Sequence, residues 1–134
     1  GGLVTPGQFL KAIALGADAV YIGTAAVMAL VSEQIIKTVP FEPPTSFVVY
    51  NGKMTDKLDI EMGAQNLFKF LNACVKEMEL VAISMGKTSL AEVEKSDLCS
   101  LDPFLSKATG VKLGYISDEE QEDFFKGNYP FNHN

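Results

Sequence analysis

Apolar residues recur through the middle of this chain at alternating steps of four and three: Ile60, Ala64, Leu67, Leu71, Cys74, Met78, Val81 and Met85. Phe68, Val75 and Ala82 widen the stripe. This spacing predicts one long helix over residues 59–85, stopped by Gly86 and roughly 39 Å long at 1.5 Å per residue. The repeat is short for a coiled coil and broad for a narrow seam, so packing against neighbouring helices is the expected use. Upstream, Thr5-Pro6-Gly7-Gln8 reads as a capped helix start, with Phe9, Leu10 and Ile13 as its buried face and Gly16 as its left-handed end. Residues 17–22 (Ala-Asp-Ala-Val-Tyr-Ile) are short, mostly apolar and bounded by glycines, as a strand buried on both faces is. Gly23-Thr24 then leads into a small-residue helix over residues 25–31.

Glycine turn, helix, strand, glycine turn, helix is the rhythm of an α/β barrel or doubly wound sheet. On that reading the strand preceding Gly1 lies outside the chain. The texture changes after residue 38. Pro40-Phe41-Glu42-Pro43-Pro44 is a stiff extended segment, and Asn51-Gly52 is a turn pair after a short extended piece. Beyond the long helix, Ser89-Leu90-Ala91-Glu92 and Ser117-Asp118-Glu119-Glu120 are capping boxes for two short helices. Asp102-Pro103 starts another helix that ends near Gly110. The expected layout is a barrel end over residues 1–38, a connector over 39–58, a helical extension over 59–126 and a loose tail over 127–134.

Composition narrows the chemistry. The net charge of −6 lacks the basic footprint of a nucleic-acid binder. The longest apolar stretch, residues 19–31, is interrupted by Gly23-Thr24 and is shorter than the ~20 residues a membrane helix needs. No basic n-region is present and the first residue is not Met, so no signal peptide is expected. Cys74 and Cys99 fit no disulfide or metal pattern and suit a reduced, cytoplasmic setting. Cys74 falls on the apolar stripe and is expected in the core; Cys99 is read the same way. His133 is the single histidine and sits in the tail, so no histidine triad or metal site is expected. The acidic run over residues 118–123 lacks the central glycine of a calcium loop.

The remaining candidates are the glycines. A phosphate needs several N–H donors converging with no Cβ in the way, which glycine turns at strand ends supply. In (β/α)8 barrels the common phosphate site lies in the loops after strands seven and eight. Gly1, Gly2, Gly23 and Thr24 fit that arrangement as cofactor-binding residues, with the Thr24 hydroxyl as a further donor. Tight turns alone would explain the same glycines, and a sugar phosphate would suit them as well as a flavin phosphate.

The stretch Gly1-Gly2-Leu3-Val4-Thr5-Pro6-Gly7, continued by Ala14-Leu15-Gly16-Ala17-Asp18-Ala19-Val20-Tyr21-Ile22-Gly23-Thr24-Ala25-Ala26, resembles the end of the FMN-binding barrel of glutamate synthases. Val39-Pro40-Phe41-Glu42-Pro43-Pro44-Thr45, Tyr50-Asn51-Gly52-Lys53 and Gly86-Lys87-Thr88-Ser89-Leu90 extend the resemblance to the single-chain FMN-binding glutamate synthase family. It implies strand eight and flanking helices of a (β/α)8 TIM barrel, followed by a mainly helical extension. It implies FMN, held at its phosphate by Gly1, Gly2, Gly23 and Thr24. Residues that face the flavin ring and substrate belong to earlier strands, so no catalytic residue is assigned here and this segment alone is expected to be inactive. Classical members carry an iron–sulfur cluster on cysteines just after strand eight. Residues 31–45 hold no cysteine, so no cluster is expected. The expected partner is the rest of the barrel. The competing expectation is a non-catalytic interaction module that self-associates through the 59–85 helix, whose stripe includes Leu67, Leu71, Met78 and Val81.

Overall fold

The computed structural model describes residues 1–34 and 55–128. The stiff connector, the Asn51-Gly52 turn, His133 and most of the tail lie outside the described residues. Helix α1 spans Pro6–Ala14, α2 Thr24–Leu30, α3 Ile60–Ser84, α4 Pro103–Thr109 and α5 Asp118–Lys126. Strands β1 (Cys99–Ser100) and β2 (Lys112–Leu113) pair in parallel. Short 3-10 turns lie at Thr55–Lys57, Leu90–Glu92 and Lys95–Asp97. The described chain is predominantly helical, as expected.

The helix ends follow from local chemistry. Thr5 caps α1, and the Gln8 side chain returns to the Thr5 and Val4 N–H groups at 3.2 and 2.7 Å, closing the expected box. At the other end Gly16 takes φ 105°, where a Cβ would be strained, and Ala17 N–H reaches the Ala12 carbonyl. Asp59 caps α3 through the Met62 N–H, and Gly86 stops it with φ 77°. Asp102 caps α4 and Ser117 with Glu120 boxes α5.

Helix α3 is the spine. It is 25 residues long, about 37 Å at the standard rise. Helices α1 and α2 both pack on it. Phe9, Leu10 and Ala14 of α1 meet Cys74, Met78 and Ala82 of α3 in the main core, which Val93 joins from the segment after α3. Gly63 lets α2 approach closely: a Cβ there would stand 3.1 Å from Leu30 Cδ2. Buried Gln34 locks this contact. Its amide donates to the Leu30 and Asp59 carbonyls, both at 3.1 Å, and its oxygen accepts the Asp59 N–H at 2.9 Å.

Four expectations are corrected. Residues 17–22 carry no regular secondary structure, with a bend at Asp18, and join no sheet among the described residues, since a parallel strand needs neighbours to accept its N–H groups. The Ser89 segment makes a 3-10 turn rather than an α-helix, because Glu92 does not return to the Ser89 N–H but binds the Thr88 N–H and hydroxyl instead. Met78 is buried, so it belongs to the core and not to the exposed part of the α3 stripe. Cys99 is exposed on its two-residue strand, whereas Cys74 is buried as expected. Burial, then the Glu77 carboxylate, pushes the Cys74 thiol up from its ordinary value, as befits an inert core thiol.

Candidate functional site

Gly2, Gly23 and Thr24 come together. They line one recess of about 210 Å³ with Leu3, Val4, Ala25 and Met28. Gly1 precedes this lining and does not itself contribute to it. The recess has two lips from opposite ends of a helix-and-return unit. Gly2, at φ 82°, turns the chain into Leu3-Val4, which Gln8 ties to the first turn of α1. Gly23 is the N-cap of α2 and offers no side chain to the helix start. The N–H groups of Thr24, Ala25 and Ala26 therefore find no acceptor among the described residues. A Cβ built on Gly23 would meet no atom of the described residues within 4 Å.

These are features of an anion cradle: clustered N–H donors, a threonine in the lining, and no acidic residue in the lining. Helix α2 has only seven residues, so the donors themselves, more than a helix dipole, would provide the attraction. Sequence reasoning found the glycines and Thr24 from their turn chemistry. It missed Leu3, Val4, Ala25 and Met28, whose apolar side chains carry no chemical signal.

A second feature adjoins the first. Val20 and Ile22, half-buried, line an apolar groove of about 390 Å³ with Phe9, Ile13, Leu71, Cys74, Val75 and Met78. Tyr21, between them, is 88% exposed. The alternation is that of a strand with one face seated on helices, yet Ala19 to Ile22 make no backbone hydrogen bonds among the described residues. Among the described residues there is no cluster of His, Cys, Asp and Glu that could hold a metal. No described helix is long and apolar enough to cross a membrane.

The family model for the conserved region in glutamate synthase matches residues 1–88. The chain belongs to the glutamate synthase family. Residues 1–88 hold both lips of the recess, the unpaired Ala19 to Ile22 segment and all of α3. An archaeal-type glutamate synthase (NADPH) from Thermotoga neapolitana is 36% identical over 86 residues, covering 64% of this chain and 17% of that protein. An archaeal glutamate synthase (NADPH) from Methanocaldococcus jannaschii is 32% identical over 90 residues, covering 67% of this chain and 18% of its own length. A glutamate synthase large subunit-like protein from Rhizobium meliloti is 29% identical over 117 residues, covering 75% of this chain and 26% of its own length. The chain thus spans only a minor part of the curated relatives it matches. No solved structure matches it.

Proposed function

We propose that residues 1–34 act as the closing end of an FMN-binding (β/α)8 barrel in a glutamate synthase-type oxidoreductase. The observation that carries this is the meeting of Gly2 with Gly23 and Thr24, 21 residues apart in sequence, around one recess without acidic lining. The residues fit a phosphate monoester. The N–H groups of Thr24 and Ala25 and the Thr24 hydroxyl would donate to it, while Gly2 and Gly23 keep side chains out of its way. Gly1 would contribute through the main chain leading into the lip. FMN supplies hydride and electron transfer when bound; this segment's part is to hold the phosphate end and so orient the ring toward residues of other strands.

The unpaired Ala19 to Ile22 segment supports the same reading. Its free N–H and carbonyl groups, beside an apolar groove, suit a strand flanked by others in a parallel barrel. The partner implied is the remainder of such a barrel, and the 134 residues alone are inactive on this account because they lack the ring-facing and substrate-facing strands. The reaction would be glutamate formation from 2-oxoglutarate and ammonia or glutamine-derived nitrogen, without an iron–sulfur cluster from this segment, in the cytoplasm.

The test is flavin content. Protein carrying this chain at the length typical of its relatives should purify yellow and keep its flavin absorbance through desalting. Colourless protein that takes up no added FMN would remove the reading. The second reading, an oligomerisation module, draws on the exposure of Phe68, Leu71 and Val75 on α3. It expects the 134-residue chain to self-associate, and light scattering that shows a monomer at high concentration counts against it.

A further inference from the structure

The segment after α3 forms a closed polar clasp. Lys87 donates to Asp97 at 2.8 Å and to the Glu92 carbonyl at 2.7 Å, with Glu94 at 3.9 Å. Thr88 donates to Glu92 through its N–H and hydroxyl, and the Glu94 N–H donates to Asp97. The clasp is rooted on the spine, because the Lys87 N–H caps the Ala82 carbonyl at the end of α3. What it holds in place is apolar. Leu90, Val93 and Leu98 pack into the main core, with Val93 itself buried.

Val93 and Leu98 border one cleft of about 220 Å³ with Gly7, Leu10 and Ala14 of α1 and Met85 near the end of α3. Helix α1 is therefore held from two sides, by α3 and by the clasped segment. Any shift of α1 must carry Leu3-Val4 with it, because Gln8 binds the Val4 and Thr5 N–H groups. Leu3, Val4 and Gly2 are one lip of the recess, and the other lip, Gly23-Thr24, rides on α2. Helix α2 is fixed to α3 by Gly63 and Gln34, far along the spine from the clasp.

We infer that Lys87 and Val93 are positioning residues for the recess: the clasp sets where α1 lies on the spine, and through it the gap between the Gly2 lip and the Gly23 lip. That this gap holds a phosphate rests on the function proposed above; the mechanical coupling does not. Leu3 of the Gly2 lip packs against the same core that Val93 joins, so the clasp reaches that lip through α1 and through this core.

The experiment is an amide NMR comparison, in protein of the length typical of its relatives, of the wild type with its K87M, K87R and V93A variants, followed by titration with inorganic phosphate. The coupling predicts that K87M and V93A move the Gly2, Leu3 and Val4 resonances while those of Thr24 and Ala25 stay in place. K87R keeps a cation for Asp97 and should restore the wild-type positions. If Gly2 to Val4 are unmoved in both K87M and V93A, or if both lips move together and K87R restores nothing, the positioning role is overturned. If the lip moves as predicted but phosphate shifts neither lip in the wild type, the coupling stands and the phosphate reading fails. If phosphate binds, its affinity should fall at least threefold in K87M and recover in K87R.

Discussion

Residues 1–34 with α3, and residues 99–127, are built on different terms. In the second region the polar groups close on one another. The Gln121 side chain donates to the Leu113 carbonyl and accepts the Leu113 N–H, and the Ser106 hydroxyl donates to the Val111 carbonyl. Phe124 is 0% exposed, its ring under the Lys107 ammonium at 5.0 Å. The first region leaves its Ala19 to Ile22 segment unpaired among the described residues, beside an apolar groove, and exposes Tyr21, Phe68 and Leu71. Both regions show apolar side chains to solvent, and it is the first, with its unpaired Ala19 to Ile22 segment, that lies inside the glutamate synthase match. A region that satisfies itself is a support; one that leaves a strand edge and a groove open is shaped for more structure.

The largest expected effect separates the two. Phe124→Ala removes the best-buried side chain of the 99–127 region and should cost about 3–5 kcal/mol there. Hydrogen exchange should show lost protection in α4 and α5 with α3 still protected. Loss of both in a single step would break the distinction. Next, Gly63→Leu should destabilise the first region by about 1–3 kcal/mol by overpacking, since even a Cβ would crowd Leu30 and Gln34. Denaturant midpoints should fall for α2 and α3 with the 99–127 region unaffected.

A smaller effect of opposite sign is expected at Asn66. Its side-chain nitrogen is buried with no hydrogen-bond partner among the described residues. Asn66→Leu should raise stability by about 1 kcal/mol, because an unmade buried bond is replaced by apolar contact. A thermal midpoint that falls instead would give that amide a role.

The smallest effect is the pH dependence of the clasp between the regions. The Lys87 ammonium, then the Glu94 N–H, holds the Asp97 carboxyl below its usual range, and Asp97 in turn holds Lys87 above its own. The depressed carboxyl stabilises above the ordinary Asp value and loses that contribution as pH falls through its lowered one. The raised ammonium stabilises below the ordinary Lys value and loses that contribution as pH rises through its elevated one. The difference in thermal midpoint between wild type and K87M should be flat between about pH 5 and pH 9 and shrink on both sides. A difference independent of pH at both extremes would show that the pair contributes by packing alone.

What was legible in the sequence divides along similar lines. The helix starts at Thr5, Asp102 and Ser117, and the stops at Gly16, Gly86 and Gly110, each depend on residues within a few positions, and all stand where the sequence puts them. The Gln34–Asp59 lock spans 25 positions, and the β1–β2 pair is two residues long, so neither leaves a periodic signal. Residues 17–22 have the composition of a strand and, at Val20, Tyr21 and Ile22, its alternating exposure; the missing part is the ladder, which no local pattern can supply. In the recess, Gly2, Gly23 and Thr24 were legible because glycine at a turn has few other uses, whereas the tie from Gln8 to the Val4 lip depends on a side chain already spent as a cap.

The central claim is that the recess grips a phosphate. Its most direct test compares FMN with riboflavin, which lacks the phosphate, in wild-type and Gly23→Val protein of the length of its relatives. A Cβ at Gly23 would meet no atom of the described residues within 4 Å, and riboflavin binding left unchanged by the valine separates exclusion of the phosphate from disruption of the fold. The account predicts FMN binding at least about tenfold tighter than riboflavin, equivalent to about 1.4 kcal/mol, with the advantage abolished by the valine. Equal affinity for the two flavins, or an FMN advantage that the valine leaves unchanged, would contradict it.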